Sequence, residues 1–124
     1  MGKKILVVDD SATVRQQVGL ALGQAGFDIV EAVDGMDGIE KLDGISGISL
    51  IICDVNMPRM NGLEMLERIR TESKHTGVPI VMLTTEGQPE LVDRAKKAGA
   101  KGWIVKPFKA ELLVAAAKKL TQAA

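Results

Sequence analysis

A chain of 124 residues fits one ordinary domain, long enough to bury a real hydrophobic core and too short to carry a separate catalytic or DNA-binding module. Its 16 lysines and arginines balance 16 aspartates and glutamates, so no global field draws it to nucleic acid or to an anionic membrane, and any charge that matters is local. Two phenylalanines and one tryptophan argue against a stacking platform for bases or a flavin.

No apolar stretch approaches the roughly 18 residues of a membrane span. Met1-Gly2-Lys3-Lys4-Ile5 runs straight into an apolar strand without the longer apolar core of a signal peptide, so the expectation is a soluble, cytoplasmic protein, monomeric, with no linker or internal repeat. The single cysteine, Cys53, can form neither an internal disulfide nor a zinc site alone, and its place in Leu50-Ile51-Ile52-Cys53 reads as core.

Short apolar runs recur at Ile5–Val8, Asp28–Val33, Leu50–Cys53, Ile80–Leu83 and Gly102–Val105, separated by stretches with helical spacing. Ser11 can cap a first helix that carries Val14, Val18, Leu22 and Ala25 on one face and stops at Gly26. Gly35 opens a short second helix with Ile39 and Leu42. The stretch from Gly44 to Ser49 reads as the loop into the third strand. Asn61-Gly62 precedes a third helix with Leu63, Leu66 and Ile69, Pro89 starts a fourth that ends at Gly99, and a fifth runs from about Lys109 to Leu120. Near-continuous apolar strands alternating with helices predict an α/β fold: one domain over residues 1–124, with a parallel sheet covered on both faces.

The residue after each strand carries the chemistry. The first strand ends in Asp9-Asp10, the third in Asp54, the fourth in Thr84-Thr85 and the fifth in Lys106-Pro107. Open parallel sheets bind ligands outside the carboxyl ends of their strands, where the strand order reverses. A flavodoxin-like doubly wound (βα)5 sheet of order 2-1-3-4-5 reverses between the first and third strands, which sets the acid pair beside Asp54.

Three converging carboxylates repel one another, which raises the pKa of at least one unless a cation intervenes. Mg2+ suits them, being a hard ion that takes carboxylate and phosphate oxygens. No cluster of softer ligands competes, and the lone His75 reads as a solvated loop residue. A carboxylate is also a nucleophile toward phosphorus if the arriving negative charge is neutralised. Asp54, alone at the sheet centre, is the candidate nucleophile; Asp9 and Asp10 suit chelation, Lys106 charge neutralisation, and Thr84 a hydrogen bond to a phosphoryl oxygen. Each residue alone has a plainer reading: Asp10 or Ser11 as a helix cap, Asp54 as a polar strand end, Thr84-Thr85 as a solvated loop, Lys106 as one lysine of many. The methionines at 36, 57, 60, 65 and 82 read as packing. The coincidence of all the required types at strand ends favours the site.

These segments resemble the receiver domains of bacterial two-component signalling, above all the stand-alone chemotaxis regulators, over essentially the whole chain. Ile5-Leu6-Val7-Val8-Asp9-Asp10-Ser11 is similar to the family's first strand and acid pair, and Asp54-Val55-Asn56-Met57-Pro58-Arg59-Met60-Asn61-Gly62 to its phosphoacceptor segment. Leu83-Thr84-Thr85-Glu86 and Gly102-Trp103-Ile104-Val105-Lys106-Pro107-Phe108 resemble the switch threonine and the lysine-proline turn. The resemblance implies Asp54 as phosphoacceptor; Asp9, Asp10, Asp54 and the Asn56 main-chain carbonyl around Mg2+; and Thr84 and Lys106 on the phosphoryl group. It also implies a cis Lys106-Pro107 peptide, Asn56 and Glu86 controlling water access, and Trp103 as the switch aromatic where many relatives have tyrosine or phenylalanine. Implied partners are a CheA-like histidine kinase, a target such as a flagellar motor switch component, and a phosphatase. The target would meet the fourth helix, fifth strand and fifth helix, where Lys96, Lys97, Lys101 and Lys109 lie.

Other functions compete. A phosphorelay intermediate outside chemotaxis fits the same residues. Haloacid-dehalogenase phosphatases also use an aspartate nucleophile, but theirs ends the first strand in an Asp-x-Asp pattern, whereas this strand ends Asp9-Asp10-Ser11 and the chain has no room for a substrate-selecting cap. A flavodoxin would place its cofactor phosphate against an acidic first loop. Intact Asp54, Thr84 and Lys106 argue against a purely scaffolding receiver, and the expected activity is that of a phosphoacceptor that catalyses its own phosphoryl transfer and slow dephosphorylation, not of an enzyme acting on separate substrates.

Overall fold

Every strand carries apolar side chains on both faces, and two helical layers cover them. In the computed structural model, which describes residues 2–57, 60–71 and 77–121, the elements alternate as β1 (Lys4–Val8), α1 (Ala12–Gln24), β2 (Asp28–Ala32), α2 (Gly35–Gly44), β3 (Ile48–Cys53), α3 (Gly62–Thr71), β4 (Ile80–Thr84), α4 (Pro89–Lys97), β5 (Gly102–Val105) and α5 (Ala110–Thr121). The five strands are parallel and lie in the order β2-β1-β3-β4-β5, the order expected of a flavodoxin-like sheet. His75, Pro58 and Arg59 lie outside the described residues.

The period of two along each strand sorts the core into halves. Ile5, Val7, Leu50, Ile52, Val81 and Leu83 point toward α1 and α5, where they meet Val18, Leu22, Leu113 and Ala117. Leu6, Val8, Ile51, Cys53, Ile80 and Met82 point the other way, into Ile39, Leu42, Leu63, Leu66, Ile69 and Ala95 from α2, α3 and α4. Cys53 is buried, and Met65 and Met82 are core residues, with Met57 and Met60 packed at its edge.

Local signals place the helix starts. The Ser11 hydroxyl accepts from Val14 N at 3.3 Å, and Asp34 Oδ1 accepts from Asp37 N at 2.9 Å. At α3, Asn61 Oδ1 accepts from Glu64 N at 2.9 Å while Glu64 Oε1 accepts from Asn61 N at 3.0 Å, a reciprocal capping box. Gly26 and Gly99 take positive φ just after α1 and α4, where side-chain-bearing residues are strained.

Element ends shift by one or two residues from the sequence expectation, and the shift at β3 has a visible cause. Ile48 and Ser49 belong to β3 and not to the loop before it, because Lys4 of β1 pairs with Ile48 across a register shift that realigns Ile5 with Leu50. Ile48 is correspondingly buried.

Candidate functional site

The carboxyl ends of β1, β3, β4 and β5 deliver the site. Asp9 follows β1, and its N–H donates to Ala32 O at 3.0 Å; Asp54 follows β3, and its N–H donates to Val8 O at 2.9 Å. The two loops thus leave the sheet side by side, with Asp9 2% and Asp54 6% exposed. Exposed Asp10 completes the group: one carboxylate oxygen from each of the three residues lies within 4.8 Å of the others.

Lys106, just beyond β5, reaches over this cluster. Its Nζ donates to Asp9 Oδ2 at 2.9 Å and to Asp54 Oδ2 at 3.4 Å. Burial works against the charged ammonium, but the hydrogen bond to Asp9 and the charges of Asp54 and Asp9 outweigh it, so the Lys106 pKa is raised. The Asp9 pKa is also raised. Burial is the largest cause and the Asp54 charge adds to it, together overcoming the hydrogen bonds from Lys106 and from Ser11 N–H. The sequence led to an expectation of mutual repulsion as the cause; the structure puts desolvation first.

Thr84, Glu86 and Trp103 form a second, adjoining group. Thr84 is fully buried at the end of β4, and its Oγ1 accepts from Glu86 N at 3.2 Å. The Trp103 indole N–H donates to Glu86 O at 2.9 Å. Lys106 N–H donates to Thr84 O at 2.9 Å, joining this group to the lysine of the acid cluster. Asn56, two residues past Asp54, is exposed, and the Lys106-Pro107 peptide is cis.

Three carboxylates with no imidazole or thiolate among them form an all-oxygen donor set, which suits a hard divalent cation such as Mg2+. Cys53 does not join it: its Sγ lies against Met65 Sδ at 3.8 Å, and burial together with the charges of Asp54 and Asp9 pushes the thiol pKa far up.

Two contributors escape a reading of the sequence. Arg15 donates to the Asp9 main-chain carbonyl, and Gly62 lets the start of α3 approach the Asp54 peptide so closely that a Cβ there would stand 2.0 Å from Asp54 O. A glycine opening a helix just past the Asp54 segment was the available signal for the second. Nothing local marked the first.

Residues 5–118 match the response regulator receiver domain family. The chemotaxis protein CheY1 of Helicobacter pylori is 43% identical over 111 residues, covering 89% of this chain and 90% of that protein. A CheY homologue of Campylobacter jejuni is 42% identical over 111 residues, covering 89% and 85%. Among solved structures, the chemotaxis protein CheY4 of Vibrio cholerae superposes with a TM-score of 0.89 at 40% identity, covering 97% of this chain and 99% of that one. Strand order, an acidic cleft at the strand ends and a family match across nearly the whole chain converge: the chain belongs to the response regulator receiver domains.

Proposed function

We propose that this protein is a phosphorylation-dependent signalling switch in chemotaxis, a single domain over residues 1–124 that accepts a phosphoryl group from a histidine kinase onto Asp54. The observation that carries the proposal is the Asp9, Asp10 and Asp54 carboxylate cluster with the Lys106 ammonium 3.4 Å from the Asp54 oxygen. In the transfer, an Asp54 carboxylate oxygen forms the new P–O bond as the P–N bond of a kinase phosphohistidine breaks. The electron pair leaves on the imidazole nitrogen, which takes up a proton. Lys106 offsets the negative charge that arrives on Asp54, and the Thr84 hydroxyl donates to a phosphoryl oxygen. Asp9, Asp10, Asp54 and the Asn56 main-chain carbonyl would hold Mg2+, which when bound supplies further positive charge to the phosphoryl oxygens. Asn56 and Glu86 govern the access of water, which slowly returns Asp54 to the carboxylate.

Output is a binding event. Trp103 and Thr84 hold the main chain of the same residue, Glu86, from its two sides, so a phosphoryl group that draws on Thr84 alters the surface of α4, β5 and α5. Exposed Val105 and Leu112 lie on β5 and α5, and the exposed Lys96, Lys97, Lys101 and Lys109 suit a partner with an acidic segment, such as a flagellar motor switch component. The kinase would be CheA-like, a phosphatase is a further partner, and the protein would work as a cytoplasmic monomer. No described helix is long and apolar enough to cross a membrane.

Mass spectrometry after incubation with Mg2+ and a phosphorylated histidine kinase tests the reading. One phosphoryl group on Asp54, labile in base and absent from Asp54→Asn, is the expected result. Acid-stable phosphate, or phosphate that survives Asp54→Asn, overturns it.

A further inference from the structure

Among the three acidic residues of the cleft, Asp9 is held at every polar group. Its Oδ1 accepts from Ser11 N at 2.9 Å, its Oδ2 from Lys106, its N–H donates to Ala32 O, and its carbonyl accepts from Arg15 Nη1 at 2.7 Å. Asp10 is the opposite case, exposed and with no hydrogen bond to its carboxylate among the described residues. Its carboxylate is therefore placed by the peptide from which it hangs and by its own rotamer, with no side-chain partner among the described residues to hold it. That peptide is planar and includes the Asp9 carbonyl, so whatever grips that carbonyl also fixes the Asp10 nitrogen and Cα, the base from which the Asp10 rotamers reach the cleft.

Arg15 supplies the grip from the first turns of α1, with its side chain only 15% exposed. The guanidinium is itself oriented by a second contact: Nε donates to Glu31 Oε1 at 2.9 Å, and Glu31 stands opposite Val7 in the β1–β2 register. The planar fork thus spans from β2 to the β1–α1 loop with two directed bonds, a geometry that a lysine cannot copy.

We infer that Arg15, oriented by Glu31, is a positioning residue that aims Asp10 into the metal site and so sets both affinity and selectivity for Mg2+. The inference rests on the reading of the acid cluster as a divalent-cation site. Mg2+ demands near-ideal octahedral placement of its oxygens, whereas Ca2+ accepts irregular ones. Misaiming one carboxylate therefore weakens Mg2+ more than Ca2+. A purely electrostatic role for Arg15 makes the opposite forecast: removing a nearby positive charge strengthens both ions alike, and Arg15→Lys behaves as the parent.

The test is Mg2+ and Ca2+ titration by calorimetry on the parent, Arg15→Lys and Arg15→Gln, with metal-free melting curves to verify that each variant folds. The expected outcome is a loss of Mg2+ affinity on the order of tenfold in both variants, with a smaller loss for Ca2+, so that the Mg2+/Ca2+ ratio falls. If Arg15→Gln does not fold, Arg15→Lys alone decides. A parent that binds neither ion removes the metal-site reading itself; a parent that binds Mg2+ while the variants keep its Mg2+/Ca2+ ratio overturns the role of Arg15.

Discussion

The Trp103 indole N–H donates to the Glu86 main-chain carbonyl at 2.9 Å, while the N–H of that same residue donates to Thr84 Oγ1 at 3.2 Å. One residue of the β4–α4 loop is thereby held from both sides. An indole has a donor and no acceptor, so the hydrogen-bonded link from Trp103 to the loop runs through that carbonyl. As the only tryptophan, it reports the connection directly. Its emission should change when Mg2+ and beryllofluoride, a phosphoryl mimic, are added, and the change should shrink in Thr84→Ala although the mimic still binds. Coupling of this kind is typically worth about 1–3 kcal/mol. Emission indifferent to the mimic while partner affinity rises makes Trp103 a packing residue only.

Mg2+ should stabilise the fold. A ligand that binds only the native cleft adds free energy by mass action, about 1.4 kcal/mol at ten times its dissociation constant. That corresponds to a rise in melting temperature of roughly 4–7 °C for a domain of this size. Asp10→Asn should lose most of the rise, because it removes one carboxylate of the cluster, and the parent's metal-free stability should hardly change, because among the described residues that exposed carboxylate makes no hydrogen bond. A melting temperature indifferent to millimolar Mg2+ removes the metal site.

Much of this site was legible because its chemistry sits where strands end. Asp9, Asp10, Asp54, Thr84 and Lys106 each follow or close an apolar run, and the single reversal of strand order brings the acids together. What was hidden depends on register and on close approach. Arg15 matters only because β2 pairs with β1 so that Glu31 stands beside Val7, and the early start of β3 at Ile48 follows from a register shift against Lys4. The Trp103 hydrogen bond likewise needs the β4–β5 pairing of Met82 with Trp103, which brings the indole within reach of a loop 17 residues away in sequence.

Across α3 and α4, Glu67 and Arg94 form a two-point ion pair, with both Nε and Nη2 at 2.7 Å from the carboxylate oxygens. The hydrogen bond from Arg94 holds the Glu67 carboxyl below its usual range. In this case the unfolded chain takes up its proton first as pH falls. The pair's contribution is therefore present above the ordinary glutamate pKa of 4.5 and lost as pH drops through the lower folded value. Both side chains are more than 40% exposed, so the contribution is about 1 kcal/mol at most and is screened by salt. Glu67→Gln should melt slightly lower at neutral pH and converge with the parent in acid or in molar salt. A deficit unchanged by either condition means that packing, not charge, joins the two residues.

Gly62 ties stability to the geometry around Asp54. A methyl group at this position would stand 2.0 Å from Asp54 O, 2.8 Å from Asp54 C and 2.9 Å from Met82 Cε. The methionine tip can swing aside, but the carbonyl belongs to the backbone. Asp54 N–H is fixed to Val8 O at 2.9 Å, and Gly62 N–H is fixed to Val55 O at 3.0 Å, so the strain falls on the peptide between Asp54 and Val55 or on the first turn of α3. Gly38, in α2, is the control: a Cβ there would meet only side-chain atoms, Met65 Cε at 3.0 Å, Met65 Sδ at 3.1 Å and Val8 Cγ2 at 3.1 Å. In a helix interior, alanine is intrinsically favoured over glycine by about 1 kcal/mol, which offsets much of that milder crowding. Gly62→Ala should therefore cost roughly 1–3 kcal/mol of stability and slow phosphorylation of Asp54 by a small phosphodonor, while Gly38→Ala leaves the rate near that of the parent. If Gly62→Ala melts and phosphorylates like Gly38→Ala, the peptide after Asp54 has room to move, and the close approach of α3 does not shape the acceptor.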